Sequence, residues 1–191
     1  MPRSEPESAT SRRTRALLVD TAIEVLAVRP DATLGEIASA ADLSRSTLHR
    51  QFANRTALLG AIDRECRARF GRAATSARPT DGTGLAALQR LAQEFYALGP
   101  VLGLIFADNA MVDPDSWTTV DPDVDGSGQG LESVIGRGLA DGTLDPAGDP
   151  AWLETTFWVL LFGAHLATMQ GTPTSEVSQQ LTRTVGKALG V

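Results

Sequence analysis

Apolar residues recur along this chain at three- and four-residue spacing, the mark of amphipathic helices, and no alternating strand pattern interrupts them. Leu18, Ala22, Val25 and Leu26 form one stripe and predict a helix over 14–28, stopped by Pro30. Thr33-Leu34-Gly35-Glu36 has the capping-box pattern, in which the Thr33 hydroxyl accepts from the Glu36 N–H and the Glu36 carboxylate reaches back. A short helix follows with Leu34, Ile37 and Ala41 inward, and Asp42-Leu43 breaks it. Ser44 is placed to cap the next helix, where Leu48 and Phe52 share the inner face. Asn54 then caps a longer helix carrying Leu58, Ile62, Cys66 and Phe70.

The segment SARPTDGTG at 76–84 is the best linker candidate. Beyond it, Leu85, Leu88, Ala92 and Phe95 mark a fifth helix stopped by Gly99-Pro100, and 101–111 has helical character. A polar stretch rich in Asp, Pro and Gly covers 113–129. Leu131, Val134, Ile135 and Leu139 predict a helix ended by Gly142, and Asp149-Pro150 opens a helix reaching about 170. Pro173 opens the last, over 173–189. The expected architecture is all-α with about nine helices. It divides into a disordered arm (1–12), a helix-turn-helix domain (13–60) and a helical domain (61–191).

The spacing across 33–52 fixes two helices at a steep angle, so the outer face of the second can enter a major groove. With Leu48 inward, a step of about 100° per residue turns Ser46, His49 and Arg50 outward, with Arg45 and Thr47 beside them near the helix start. Arg can grip guanine with two hydrogen bonds, and His, Ser and Thr reach base edges or phosphates. Free N–H groups at the helix start also favour phosphate. A net charge of −6 argues against a polyanionic partner, but the charge is divided. Residues 1–78 hold thirteen Arg against nine Asp/Glu, a modest +4, while 79–191 carry −10.

The segments RALLVDTAIEVLA and ATLGEIASAADLSRSTLHRQFANRTALLGAI resemble the TetR family of bacterial regulators, strongly over residues 13–65 and diffusely beyond. The resemblance implies an all-α homodimer. Each subunit would have three DNA-binding helices, a connecting fourth, and a larger domain for ligand binding and dimerisation. It implies repression that ends when ligand binds. Residue by residue, it implies a phosphate contact at Thr33 and a recognition helix carrying Arg45, Ser46, Thr47, His49, Arg50 and Gln51. It also implies a phosphate contact at Arg55, where the family usually has Lys; His49 stands where Tyr is usual.

In the second half, the 150–170 helix is apolar nearly all round, which means burial on more than one side. Leu160, Gly163, Ala164 and Ala167 make a small-residue seam. With Val177, Leu181 and Val185 of the last helix it predicts a four-helix dimer interface; the plainer alternative packs both faces within one subunit. Another face presents Trp158, Phe162, His165 and Met169, and Phe95, Phe106, Asn109, Met111 and Trp117 lie on segments that can converge with it. That lining suits a mostly apolar effector, although each residue taken singly has the pattern of plain core. Residues 121–132 mimic a calcium loop, with Asp121, Asp123, Asp125 and Glu132 as ligands and Gly126 at the turn. Pro122 opposes the entering helix and Gly128 replaces the usual apolar residue, so an acidic loop without metal is expected.

Composition, 42% apolar and 21% charged, is that of a globular domain. No apolar run approaches the ~18 residues of a membrane span. The opening MPRSEPESATSRR lacks the apolar stretch of a secretory signal, and the lone Cys66 cannot form an intrachain disulfide, so a cytoplasmic location is expected. Cys66 sits on a helix stripe, the position of a structural thiol rather than a redox sensor. Only two His residues occur, one in each half, and no phosphate loop, zinc spacing or nucleophile elbow accompanies them, so neither catalysis nor a cofactor is expected. The resulting expectation is a ligand-responsive repressor on double-stranded DNA. It would be released from a near-palindromic operator by a small, mostly apolar effector. The alternatives are a helical carrier or partner-binding protein that never touches DNA, and a helical enzyme using the aromatic segments.

Overall fold

Side-chain oxygens stand at most of the helix starts, and they set where each helix begins. Ser8, Thr33, Ser44, Asn54, Thr83 and Asp149 each accept a hydrogen bond from the backbone N–H three residues on, satisfying a donor that the helix cannot. The computed structural model describes residues 8–106 and 130–191. Among these it shows α1 (Ala9–Val28), α2 (Leu34–Ala40), α3 (Arg45–Gln51), α4 (Arg55–Ser76), α5 (Gly84–Tyr96) and α6 (Pro100–Phe106). It then shows α7 (Leu131–Ala140), α8 (Pro150–Met169) and α9 (Thr174–Leu189), with no strand among the described residues. The Ser8 cap starts α1 earlier than the apolar stripe suggested, so residues 9–12 of the expected disordered arm are helical.

Helices α1 to α3 close around Leu18, Ala22, Ile23, Leu26, Ile37, Leu48 and Phe52, all buried. The α2–α3 break places Asp42 at φ +54°, a left-handed conformation that Asp tolerates better than most residues. Helix α4 joins this unit through Leu58 and continues unbroken past Cys66 and Phe70 into the second half. The two halves therefore share one helix, and the 60/61 boundary falls inside it. The expected linker at 76–84 is instead a tight, pinned turn. The Arg90 guanidinium donates to the carbonyls of Ala77 (2.7 Å), Arg78 (2.8 Å) and Asp81 (2.6 Å), and Pro79 is buried. Pro and Gly serve a tight turn as well as a loose linker, so composition alone could not separate the two.

Helix α5 is the centre of the second half and touches α4, α7, α8 and α9. A Cβ on Gly84 would lie 2.2 Å from the Cα of Gly138, so α5 and α7 meet backbone to backbone. Helix α9 turns Val177, Leu181, Val185 and Leu189 inward, all buried. Its flank is tied to α5 by Gln89, which donates to the Thr182 carbonyl (3.2 Å), and by Gln93, which donates to the Thr182 hydroxyl (3.0 Å). Val177, Leu181 and Val185 are thus core within one chain and not available to a second subunit, which corrects their assignment to a dimer seam. An apolar stripe demands burial but does not say against which chain. Helix α6 lies across α1 on one side and α8 on the other.

Candidate functional site

Leu48 and Phe52 are buried, which leaves the outer face of α3 to solvent. His49 and Arg50 stand exposed on that face and make no hydrogen bond or ion pair among the described residues. Arg45 is exposed at the start of α3 and lies over α2, where a Cβ on Gly35 would come within 2.7 Å of its Nε. Gly35 is what lets the guanidinium rest there. Arg45, Arg29, Gly35, Glu36, Ser39 and Ala40 line an open groove of about 400 Å³. Arg29 was not singled out from sequence. It reaches Glu36 at 2.9 Å, a pairing seven residues apart across the α1–α2 turn that no helical spacing announces.

Other expected contacts have structural duties. The Thr33 hydroxyl donates to Glu36 (2.8 Å) and accepts from the Glu36 N–H (3.3 Å), completing the capping box. The Thr33 backbone N–H, its hydroxyl and Arg29 together hold the Glu36 carboxyl below the usual carboxylate range. Ser46 and Thr47 each place a hydroxyl 2.9 Å from that of Ser44, forming a small network at the α3 cap. Gln51 is half-buried: its side chain donates to the Ser11 hydroxyl (3.0 Å), and its carbonyl accepts from Arg15 (2.7 Å), whose guanidinium lies 4.2 Å above the Phe52 ring. Gln51 therefore holds α3 to α1 rather than facing outward. Arg55 donates to the carbonyls of Ala32 and Pro30 (3.0 Å to the latter). These carbonyls belong to the turn between α1 and α2, outside helical hydrogen bonding, so Arg55 locks that turn instead of standing free for phosphate.

In the second half, Phe70 of α4, Phe95 of α5 and Phe157 and Trp158 of α8 form one aromatic cluster. Phe95 lies 5.0 Å from Phe70 and stacks on Trp158 at 5.9 Å with 12° between planes. Phe157 meets Trp158 edge-on at 5.9 Å. Phe70 and Phe157 were not in the sequence-derived lining; Phe70 read only as a member of a helical stripe, and Phe157 was not singled out. Phe106 adjoins Phe162 (5.2 Å) and His165 (6.0 Å). His165 also borders α6, where a Cβ on Gly103 would meet it at 3.4 Å and Ala27 of α1 at 3.1 Å. Burial lowers the pKa of His165, and burial pushes the Cys66 thiol up to about 12, keeping it protonated and inert. Asn109, Met111, Trp117 and residues 121–129 of the acidic loop lie outside the described residues.

The outward face of α8 differs from the expected seam. Ala164 is buried, and Leu160 and Ala167 are half-buried against the core; of the four seam residues, only Gly163 faces out. The exposed apolar row is Trp152, Val159, Phe162, Leu166 and Met169, from 44% to 68% exposed. Met169, expected in the effector lining, is at 59% exposure on this outer face and not in the cluster; Phe162 sits at the border of the two. A helix apolar on every side gives no sequence signal for which side is covered, and the face turned out by the packing on α5 and α9 settles it here.

Residues 18–62 match the family described as bacterial regulatory proteins, tetR family. The HTH-type transcriptional repressor LfrR of Mycolicibacterium smegmatis is 32% identical over 172 residues, covering 90% of this chain and 87% of its own. The crystal structure of LfrR from Mycobacterium smegmatis in complex with proflavine aligns over 93% of this chain and 96% of that one, with 29% identity and a TM-score of 0.70. The ketosteroid regulator KstR2 of Mycobacterium tuberculosis, at 15% identity, shares the fold with a TM-score of 0.69 over 93% of this chain and 95% of its own. An identity of this level along almost the full length, on a capped helix-turn-helix with exposed basic residues, places the chain in the TetR family of bacterial regulatory proteins: it is an all-α, helix-turn-helix transcriptional regulator.

Proposed function

We propose that this regulator is a repressor that binds a near-palindromic operator as a homodimer in the cytoplasm and leaves it when an aromatic effector enters the cluster around Phe95 and Trp158. The observation that carries the DNA-binding part is the outer face of α3: Leu48 and Phe52 are buried beneath it, and His49 and Arg50 stand exposed on it without partners among the described residues. Arg45 and Arg29 extend the basic surface towards α2. On this reading, Arg45, His49 and Arg50 meet base edges, while Ser46, Thr47 and Thr33 lie near phosphate at helix starts.

Pairing of two copies through Trp152, Val159, Gly163 and Leu166 on α8 would bury a face otherwise left in water. The two α3 helices of such a dimer must sit about 34–36 Å apart, or at a multiple of that, to enter grooves on one side of a duplex. Effector binding weakens DNA binding only as far as the effector prefers an arrangement that spoils this distance. A similar protein is a repressor and has been solved with proflavine, a planar aromatic compound, and both facts support this reading.

The test is binding to the DNA upstream of the gene encoding this protein at near-physiological salt, with and without proflavine. The expected result is a sequence-specific complex that proflavine dissociates, with Arg50→Ala and Arg45→Ala each losing about 1–3 kcal/mol of discrimination between correct and altered bases. Unchanged base preference in both variants would overturn the contact assignment. Proflavine binding with no specific DNA complex would favour a carrier instead.

A further inference from the structure

The aromatic cluster contains one group that its neighbours leave unsatisfied. The indole nitrogen of Trp158 is shut off from solvent and has no hydrogen-bond partner among the described residues. It can only donate. The rings that fix its orientation are Phe95, stacked on it, and Phe157, set edge-on to it, and neither offers an acceptor. Buried donors without acceptors are rare in native proteins because each forfeits a hydrogen bond it would make in water.

We propose that the effector is an aromatic molecule bearing a hydrogen-bond acceptor, a ring nitrogen or carbonyl oxygen, which receives the Trp158 N–H. This rests on the reading that the cluster is the effector site. An acceptor there gains a bond the protein cannot make by itself, while an all-hydrocarbon ring leaves the donor stranded. Shape and apolar area are supplied by Phe70, Phe95 and Phe157, so the indole supplies the chemical discrimination.

Quinoline and naphthalene test this, since they share one outline and differ by a ring nitrogen. Binding of each to the full-length protein is measured by amide and indole NMR of uniformly ¹⁵N-labelled wild type and Trp158→Phe. Wild type is expected to prefer quinoline by about tenfold. The Trp158 indole proton should move downfield with quinoline and not with naphthalene, and Trp158→Phe should reduce the preference below twofold. Two equally bound probes that both shift amides of α5 and α8 would overturn the acceptor requirement and leave the site intact. Failure of both probes to shift those amides at millimolar concentration would overturn the site and this inference together. The indole shift is read on the unmutated chain, so the result does not depend on Trp158→Phe folding.

Discussion

Arg50 and Arg55 are five positions apart in sequence and have opposite surroundings. Arg50 points into solvent, while Arg55 holds the carbonyls of Pro30 and Ala32. Replacing Arg55 by Ala should lower folding stability by roughly 1–3 kcal/mol, because two carbonyls lose a charged donor. The slope of operator affinity against salt should stay unchanged, since no phosphate contact is removed. Arg50→Ala should leave the melting temperature unchanged and weaken operator binding. Thermal melts and salt titrations of both variants separate the two roles, and a reduced salt slope in Arg55→Ala would show that its guanidinium does reach the backbone of DNA. His165 gives a pH dependence. Burial lowers its folded pKa below that of the unfolded chain, so the unfolded state takes up the proton first. Stability is then full above about pH 6.5 and falls as the pH drops through the folded value. Glu36 and Asp141, whose pKa values are also lowered, add their losses only in the carboxylate range below. Melting temperature followed from pH 7.5 to 5.5 should fall in wild type and hold nearly level in His165→Gln; parallel curves would refute the assignment. Residue roles of this kind were only partly legible in the sequence. The outward set of Arg45, His49 and Arg50 followed from placing Leu48 inside. Nothing in the chain distinguishes Arg55 from a free arginine, because its partners lie more than twenty residues away in a turn.

At the scale of helices, legibility was high wherever a cap and a stripe coincided. Thr33, Ser44, Asn54 and Asp149 all begin helices, as their side chains and flanking patterns require. It was low where burial could be satisfied in two ways, as for Val177, Leu181 and Val185. The crossing of α6 with α1 and α8 was not legible at all, since it depends on how closely Gly103 lets three helices approach. Gly103→Ala would set a methyl 3.1 Å from the Ala27 Cβ and 3.4 Å from His165, tight enough that the neighbours must give by a few tenths of an ångström. We expect a loss of about 1–3 kcal/mol from overpacking. We also expect a change in operator affinity, because α1 belongs to the DNA-binding unit. Ala27→Gly in the same chain removes the opposing methyl and should recover part of both losses. Chemical denaturation and operator titration of the single and double variants form a cycle; strictly additive effects would mean that the two residues do not press on each other.

For the whole molecule, the proposed dimer requires the apolar row on α8 and the basic face of α3 to serve one assembly. Val159→Glu with Leu166→Glu should leave the subunit folded, since both side chains already lie in water, and should yield monomers in sedimentation. Operator affinity should fall by orders of magnitude as the two half-sites cease to be held together. Retention of a dimer would send the interface elsewhere. The charge pattern fits this division: the basic excess lies in residues 1–78 and the acidic excess in the remainder, which disfavours DNA approaching by the wrong end.

The contact between Gly84 and Gly138 has a consequence for how the proposed effector site can open. The Leu144–Gly190 bridge adds a second main-chain contact, and the side chains of Gln89 and Leu85 fit closely against Gly186 and Gly190, so this end of the bundle is tightly closed. No molecule can wedge in there without tearing the seam. The opposite end, where Phe95, Trp158, Phe106 and His165 gather, is held by side chains that can swing. On the proposed reading the effector enters at that end, and the bundle would behave as a clothes-peg sprung at its glycine end. Its free jaws bear on α6, and through α6 on the helix that carries the reading head.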